Sequence, residues 1–144
     1  MASTFKWTAT STVDVIFSLT SAIATSSYAG VSSAIANGTS GLYPYAALEL
    51  VSTALSPTAG GYIDIWLYPT IDGTNYADAD KFLQTASLLC TFQVDTAAAT
   101  AQRITKWNIG LPPLDFKMEM RNETGGNLSS GTKLNLVRYY DQVV

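Results

Sequence analysis

Carboxylates are the side chains of this chain that could best support acid–base catalysis, because none of its 144 residues is a histidine. The chain therefore lacks the commonest general base and the commonest metal ligand. Among its eleven acidic residues, Asp64 is the best candidate, since it lies between Tyr62, Trp66 and Tyr68, as an acid in a sugar-hydrolase cleft could. We favour the alternative that these aromatic residues pack on a neighbouring protein. The sequence thus predicts no enzyme and no catalytic residue.

The densest polar cluster, Asp72–Asp80, offers oxygen ligands that calcium could use. Its spacing does not match an EF-hand loop, which needs acids at alternate positions and a bidentate Glu at its twelfth position. An Asp72-Gly73 turn capped by the Asp side chain explains the cluster better. The single cysteine, Cys90, lies in an apolar run and is predicted to be a small hydrophobic core residue. We therefore predict no metal and no cofactor.

The elements that position these residues are predicted from strict alternation of apolar and polar side chains. From Leu114 to Arg121 every second residue is charged, so one face of a strand is apolar and the other charged. The same period places further residues inward on their strands: Val13, Val15, Phe17 and Leu19; Leu48 and Leu50; Ile63, Ile65 and Leu67; Leu88, Cys90, Phe92 and Val94. This predicts an all-β fold, an antiparallel β-sandwich or jelly roll of roughly eight strands.

The length indicates one domain, with residues 12–144 as a single β-sandwich. Residues 1–11 are rich in Ser and Thr and are either an N-terminal arm that orders against a neighbour or a first edge strand. Val15 to Ala24 resembles a signal peptide weakly, because Lys6 is the only early basic residue and Asp14 abuts the apolar run. No stretch is apolar enough for a transmembrane helix. We therefore expect synthesis in the cytoplasm and no membrane partner.

Charge is scarce in this chain, with 13% charged residues against 47% hydrophobic ones and a net charge of −3. A nucleic-acid binder would show a basic patch, so we predict no nucleic-acid partner. Such a composition fits a protein that hides part of its surface in an assembly, and it also fits a β protein with Ser/Thr-rich exposed faces.

Two groups of aromatic residues are candidate contact surfaces. Phe5 and Trp7 lie in the N-terminal segment, and the second group consists of Tyr62, Trp66, Tyr68 and Tyr76. The second group could be a sugar-stacking platform or a subunit interface, since interfaces are enriched in Tyr and Trp. We favour the interface for both groups.

Three segments in order along residues 62–142 carry a family resemblance. The strand Tyr62–Tyr68 runs into a loop with Asp-Gly-Thr-Asn at 72–75. Leu111-Pro112-Pro113-Leu114-Asp115-Phe116 feeds a strand that ends in Asn-Glu-Thr-Gly at 122–125, and Leu134–Gln142 comes last. In these features the chain resembles small β-sandwich virion proteins of tailed bacteriophages, the class that decorates or cements capsids. The N-terminal third is not covered by this resemblance.

The resemblance implies a structural protein of the virion, made in the host cytoplasm and attached to the outside of the phage head. Its partner would be the major capsid protein, and it would form a homo-oligomer, a trimer or dimer. Each copy would bridge neighbouring capsid subunits, with many weak contacts adding up over the lattice. Another virion component, such as a tail-tube or fibre subunit, and a carbohydrate-binding module remain the alternatives.

Overall fold

The computed structural model describes residues 5–9, 12–38, 42–76, 87–96 and 100–143. Within these ranges the chain forms nine antiparallel strands and no helix. The strands are β1 (Phe5–Ala9), β2 (Asp14–Ser18), β3 (Ser27–Val31), β4 (Tyr45–Val51), β5 (Tyr62–Pro69), β6 (Ser87–Gln93), β7 (Arg103–Gly110), β8 (Phe116–Glu123) and β9 (Lys133–Val143).

The strands form two sheets that pack face to face. In sheet one, β1 and β2 lie along the same edge of β9, which is followed by β4 and β7. In sheet two the order is β3, β8, β5, β6. From β2 onward every connection crosses between the sheets except that between β5 and β6. The fold is therefore an antiparallel β-sandwich, as predicted, with one strand more than the approximate number expected.

The core lies between the sheets and confirms much of the predicted alternation. Leu48 and Leu50 on β4 are buried, with Glu49 on the outer side. The apolar residues of β5 and β8 face them from sheet two, and all of these are buried: Ile63, Ile65, Leu67, Phe116, Met118 and Met120. Burying such side chains contributes roughly 1.5–3 kcal/mol each, which is the main stabilising term of the sandwich.

Two β-bulges make the alternation fail elsewhere. In β2 the register with β9 shifts between Val15 and Phe17, so Phe17 is buried while Val13 and Val15 are exposed. In β6 the register with β5 shifts so that Leu88 lies opposite Trp66 on the outer face and is 51% exposed. The prediction that Val13, Val15 and Leu88 point inward was wrong, because an extra residue in a strand reverses the side of every residue beyond it.

Residues 5–9 of the N-terminal segment form an edge strand, the second of the two possibilities for residues 1–11. Strand β1 pairs antiparallel with the end of β9, from Phe5 opposite Val143 to Ala9 opposite Tyr139. Residues 1–4, 10 and 11 lie outside the described residues. Trp7 is therefore fixed against sheet one by main-chain hydrogen bonds.

The loop before β4 is tied to the loop before β8 by polar contacts. The Asn37 side chain donates hydrogen bonds to the carbonyls of Tyr43 and Pro112, at 3.1 and 2.8 Å. The Asp115 carboxylate accepts the main-chain N–H groups of Gly38 and Asn37, at 2.7 and 2.8 Å. These two N–H groups hold the pKa of Asp115 below its ordinary value. The contacts fix the end of the sandwich where β4 begins.

A candidate interface on the outer face of sheet one

The outer face of sheet one is built by the alternate residues of β4 and β9. Because Leu48 and Leu136 point into the core, Tyr45 on β4 and Tyr139 on β9 point outward. These two tyrosines are directly opposite each other in the register of the two strands. A cross-strand aromatic pair of this kind stabilises the sheet by roughly 0.2–1 kcal/mol.

Trp7 and Trp107 extend this pair across the sheet. The Trp7 ring on β1 makes edge contacts with Tyr139 and Tyr45, at centroid distances of 5.0 and 5.9 Å. The rings of Tyr45 and Tyr139 stack at 5.7 Å. Trp7 is 61% exposed and Trp107 on β7 is 74% exposed. We call Trp7, Tyr45, Trp107 and Tyr139 the aromatic face.

A cleft of about 400 Å³ lies on the aromatic face, lined by Trp7, Ala9, Trp107 and Tyr139. Trp107 follows the outward-facing Thr105 by two residues on β7, just before an irregularity where the register with β4 shifts between Ala46 and Leu48. In this irregularity Asn108 has a positive φ of 58°, and its N–H donates to the Tyr139 hydroxyl at 2.9 Å. The bond fixes the Tyr139 ring and the backbone that carries Trp107.

Beyond the aromatic face, the outer side of sheet one carries a group of paired polar residues. Arg103 on β7 forms an ion pair with Glu49 on β4, with both Glu49 oxygens 3.1–3.2 Å from the guanidinium. Asn135 on β9 donates to the same carboxylate at 3.1 Å. Exposed ion pairs of this kind contribute little to stability, about 0–1 kcal/mol. The outer side of sheet one thus has an aromatic half and a polar half, and the charged groups named in the polar half are paired within the chain.

The sequence-predicted group on β5 lies on the outer face of sheet two. Tyr62, Asp64, Trp66 and Tyr68 share the side opposite the core residues of β5, as alternation predicted. Tyr62 is 37% exposed and Trp66 is half-buried, but Tyr68 is fully buried. In this structure Tyr68 therefore offers no surface to a partner.

Tyr68 donates a short hydrogen bond to the buried carboxylate of Glu119 on β8. Burial, together with this carboxylate, raises the pKa of Tyr68 far above its ordinary value. Glu119 had been placed on a charged, water-facing side of β8. That prediction was wrong, because this side of sheet two is partly covered and the glutamate lies in a buried hydrogen bond.

The remaining predicted residues are dispersed. The main chain of Phe5 lies in β1, and its side chain is outside the described residues. Tyr76 is half-buried, with the Lys117 ammonium 4.3 Å from its ring centroid. The candidate contact residues therefore do not form one surface: Trp7 belongs to the aromatic face, whereas Tyr62 and Trp66 lie on sheet two. That they are contact residues stays a prediction.

The polar loop begins with the turn that the sequence predicts. The Asp72 carboxylate accepts the N–H groups of Asn75 and Thr74 at 2.7 and 2.9 Å, and also the Asn75 side-chain amide. These bonds hold the pKa of Asp72 far below its ordinary value. Residues 77–80 lie outside the described residues. In the part of the chain that the structure describes, no group of three or more His, Cys, Asp or Glu residues could hold a metal.

Asp64 and Cys90 lie on the neighbouring strands β5 and β6 of sheet two. Asp64 is buried, and one of its carboxylate oxygens accepts the Thr91 hydroxyl at 2.5 Å. Cys90 packs against the core, and burial raises the pKa of its thiol to about 12. The thiolate is the nucleophilic form of cysteine, and a raised pKa favours the neutral thiol at neutral pH.

Sequence analysis did not select Tyr45, Trp107 or Tyr139. For Tyr45 a signal was present, because it lies an odd number of residues from Leu48 and Leu50, which were predicted to point inward. What was missing is that β1, β9, β4 and β7 are neighbours in this sheet. That adjacency depends on pairings between distant parts of the chain.

Comparisons with known proteins identify no relative: no protein family model matches the chain, and no curated protein matches it significantly in sequence. Across the described ranges, no helix is long and apolar enough to span a lipid bilayer.

Proposed function

We propose that the protein is a structural component of a virion, a decoration or cement protein that binds the outside of a phage capsid. The observation that carries this proposal is the aromatic face, which exposes two indole rings on a rigid sheet. Exposed contiguous apolar surface marks interaction sites, and Trp and Tyr are the residues that dominate the binding energy of interfaces. The resemblance of residues 62–142 to phage virion proteins supplies the kind of partner.

The size of the aromatic face suits a contact that is repeated many times. Strands lie about 4.8 Å apart and rise about 3.4 Å per residue, so four strands and six residues cover roughly 19 by 20 Å. This footprint of roughly 400 Å² is smaller than the roughly 800 Å² per partner of a stable interface. A single contact would be weak, but contacts repeated over a lattice give high avidity.

A finer description of the fold supports the same proposal. The strand orders β2-β9-β4-β7 and β3-β8-β5-β6, with nearly every connection crossing between the sheets, suit a jelly roll. Jelly rolls are eight-stranded double sheets that occur in viral capsid and lectin domains. Under this proposal β1 is an addition to the eight strands, and it contributes Trp7 to the aromatic face.

Co-sedimentation with empty heads of the phage that encodes the chain tests the proposal. We expect the double substitution Trp7→Ala, Trp107→Ala to lower the binding to heads at least about tenfold, because truncation of such anchors typically costs more than 1–2 kcal/mol each. Thr105→Ala is the matched control, since Thr105 is exposed on β7 opposite Glu49 in the polar half. The control is expected to bind like the wild type.

Wild-type binding by the double variant, with an unchanged melting temperature, would refute attachment through the aromatic face. Rings or filaments formed by the purified protein alone, seen by electron microscopy, would instead favour a tail-tube or fibre subunit.

A carbohydrate-binding module is the second candidate, because Trp7 and Trp107 flank a cleft in which a sugar ring could stack. Sugar sites also need several convergent polar groups that fix the hydroxyls. The cleft has few, and the Tyr139 hydroxyl already accepts a hydrogen bond from Asn108. We therefore favour a protein partner, and a glycan-array screen of the wild type against the double variant distinguishes the two.

A further inference from the structure

A second cavity, of about 590 Å³, adjoins the aromatic face at the same end of the sandwich. We call it the tyrosine cavity, because Tyr43, Tyr45 and Tyr140 line it together with Asp141. It lies where β4 begins, beside the part of β9 that continues beyond the last β4 pair, Tyr45 opposite Tyr139. Tyr45 belongs both to this cavity and to the aromatic face, so the two surfaces are continuous.

The tyrosine rings of the cavity present an environment that favours cations. Tyr43 and Tyr140 lie with centroids 5.8 Å apart and planes tilted by 54°. The face of an aromatic ring carries negative potential and attracts ammonium and guanidinium groups. Tyr43 already contacts such a group from the same chain, because the Arg138 guanidinium lies 5.1 Å from its centroid. That guanidinium is neutralised by Asp14, with an N–O distance of 3.3 Å.

Asp141 adds a carboxylate that is not neutralised in the same way. Its side chain is exposed, and among the described residues no lysine or arginine forms an ion pair with it. Asp14, Glu49 and Glu123, in contrast, each pair with an arginine. A cation that entered the cavity would therefore meet aromatic rings and an available counter-ion.

The geometry points to a binding site for a cationic side chain, an arginine or lysine of a partner protein. The tyrosine rings would surround the charged group, and the Asp141 carboxylate would neutralise it. Because Tyr45 joins the cavity to the aromatic face, a partner that covers the face could place a projecting side chain in the cavity. That the partner is a capsid protein rests on the proposed function, whereas the chemistry of the cavity does not.

Two small probes that differ in charge test the site. The full chain is titrated with N-acetyl-arginine amide and with N-acetyl-citrulline amide, a neutral molecule of nearly the same shape, while its amide resonances are followed by NMR. We expect saturable shifts at Tyr43, Tyr140 and Asp141 with the arginine probe. We expect binding of the citrulline probe to be at least about fivefold weaker, since it lacks the charge that the rings and the carboxylate attract.

Substitutions distinguish binding at the tyrosine cavity from a general attraction of the cationic probe to the negatively charged protein. Asp141→Asn should weaken binding of the arginine probe roughly fivefold and leave binding of the citrulline probe unchanged. Asp95→Asn is the matched control, because it removes the same charge from an exposed position that does not line the cavity. Tyr140→Leu keeps an apolar side chain but removes a ring, and should weaken binding of the arginine probe as well.

Equal affinities for the two probes, or no saturable shift at the cavity residues, would overturn the inference. So would an equal loss of binding in Asp141→Asn and Asp95→Asn, because the attraction would then be general. None of these results would bear on the co-sedimentation experiment, which tests the proposed function. Conversely, selective arginine binding by a protein that does not bind heads would refute the proposed function and leave the cation site in place.

Discussion

The Tyr68 hydroxyl and the Glu119 carboxylate form a polar contact in a buried part of sheet two. A carboxylate without hydrogen-bond donors in such a place would be strongly destabilising. Tyr68 therefore acts as a donor that allows Glu119 to be buried. Its aromatic ring and its hydroxyl both serve stability, and neither is displayed to a partner.

Tyr68→Phe tests this role. The substitution removes one donor to a buried carboxylate, so we expect the free energy of unfolding to fall by about 1–3 kcal/mol. Tyr62→Phe is the control on the same strand and face, because Tyr62 is exposed, and it should change stability by less than about 0.5 kcal/mol. Urea denaturation of both variants measures the difference. Equal effects of the two substitutions would contradict the role of Tyr68.

The burial of residues was predicted well on the core side of the strands and less well on their outer side. Alternation placed Met118 and Met120 in the core because a two-layer sandwich must bury one side of each strand. It could not show that Tyr68 and Glu119 on the opposite side are buried as well. Coverage of an outer face depends on segments distant in sequence, which a local pattern does not contain.

Among the elements, the strand β8 is approached closely by the loop that precedes β5. A Cβ atom added to Gly61 would lie 2.5 Å from the carbonyl oxygen of Thr124, just past the end of β8. Gly61 is also held there, because its carbonyl accepts the Val94 N–H and its N–H donates to Thr58. Only a residue without a side chain fits between these main chains.

Gly61→Ala is therefore expected to destabilise the fold. The main chain has to shift to admit the methyl group, so we expect a loss of about 1–3 kcal/mol. At Gly110 the space around an added Cβ is open and φ is not positive, so Gly110→Ala is the matched control and should stay within about 0.5 kcal/mol. Thermal unfolding followed by circular dichroism compares the two. Similar melting temperatures for both variants would show that the main chain at Gly61 moves freely.

Strand positions followed from the sequence more reliably than strand register. Each predicted strand has a counterpart, because turn residues and period-two alternation are local signals. The bulges in β2 and β6 have no such local signal, and they reversed the predicted side of Val15 and Leu88. Where the register is regular, as between β4 and β9, the predicted inward side of Leu48 and Leu50 on β4 is confirmed.

For the whole molecule, the aromatic face and the self-association surface are expected to be separate. The face is too small for a stable subunit interface, and under our proposal it is reserved for the capsid. Exposed apolar residues also occur on sheet two, where Leu88 and Tyr62 lie on the outer side. Self-association through that side would leave the aromatic face accessible in every copy.

Light scattering of the purified protein measures this directly. We expect a mass two or three times the 15.4 kDa of the chain, and the same mass for the Trp7→Ala, Trp107→Ala variant. Leu88→Ser, on the other sheet, should lower the oligomer mass, because it removes exposed apolar surface from the expected subunit contact. A double variant that becomes monomeric would assign the aromatic face to self-association instead. A monomeric wild type would refute the predicted dimer or trimer.

The topology of sheet one could not be read from the sequence, because it depends on which distant segments pair. Strand β9 is the clearest example, since it pairs with β1, β2 and β4, which lie roughly 80 to 140 residues away along the chain. The aromatic face exists only through these pairings. The fold class was therefore predictable from local patterns, whereas only Trp7 of the aromatic face was selected from the sequence.

The pairing of Phe5 with Val143 has a practical consequence for engineering. Opposite residues of antiparallel strands are only about 5 Å apart, so a tag or fused domain joined at Phe5 or at Val143 would lie close to Trp7. An affinity handle at either of these two positions could thus block the aromatic face. An insertion at the exposed Ser130, just before the opposite end of β9, would place the handle roughly 35 Å away and leave Trp7 and Trp107 unobstructed.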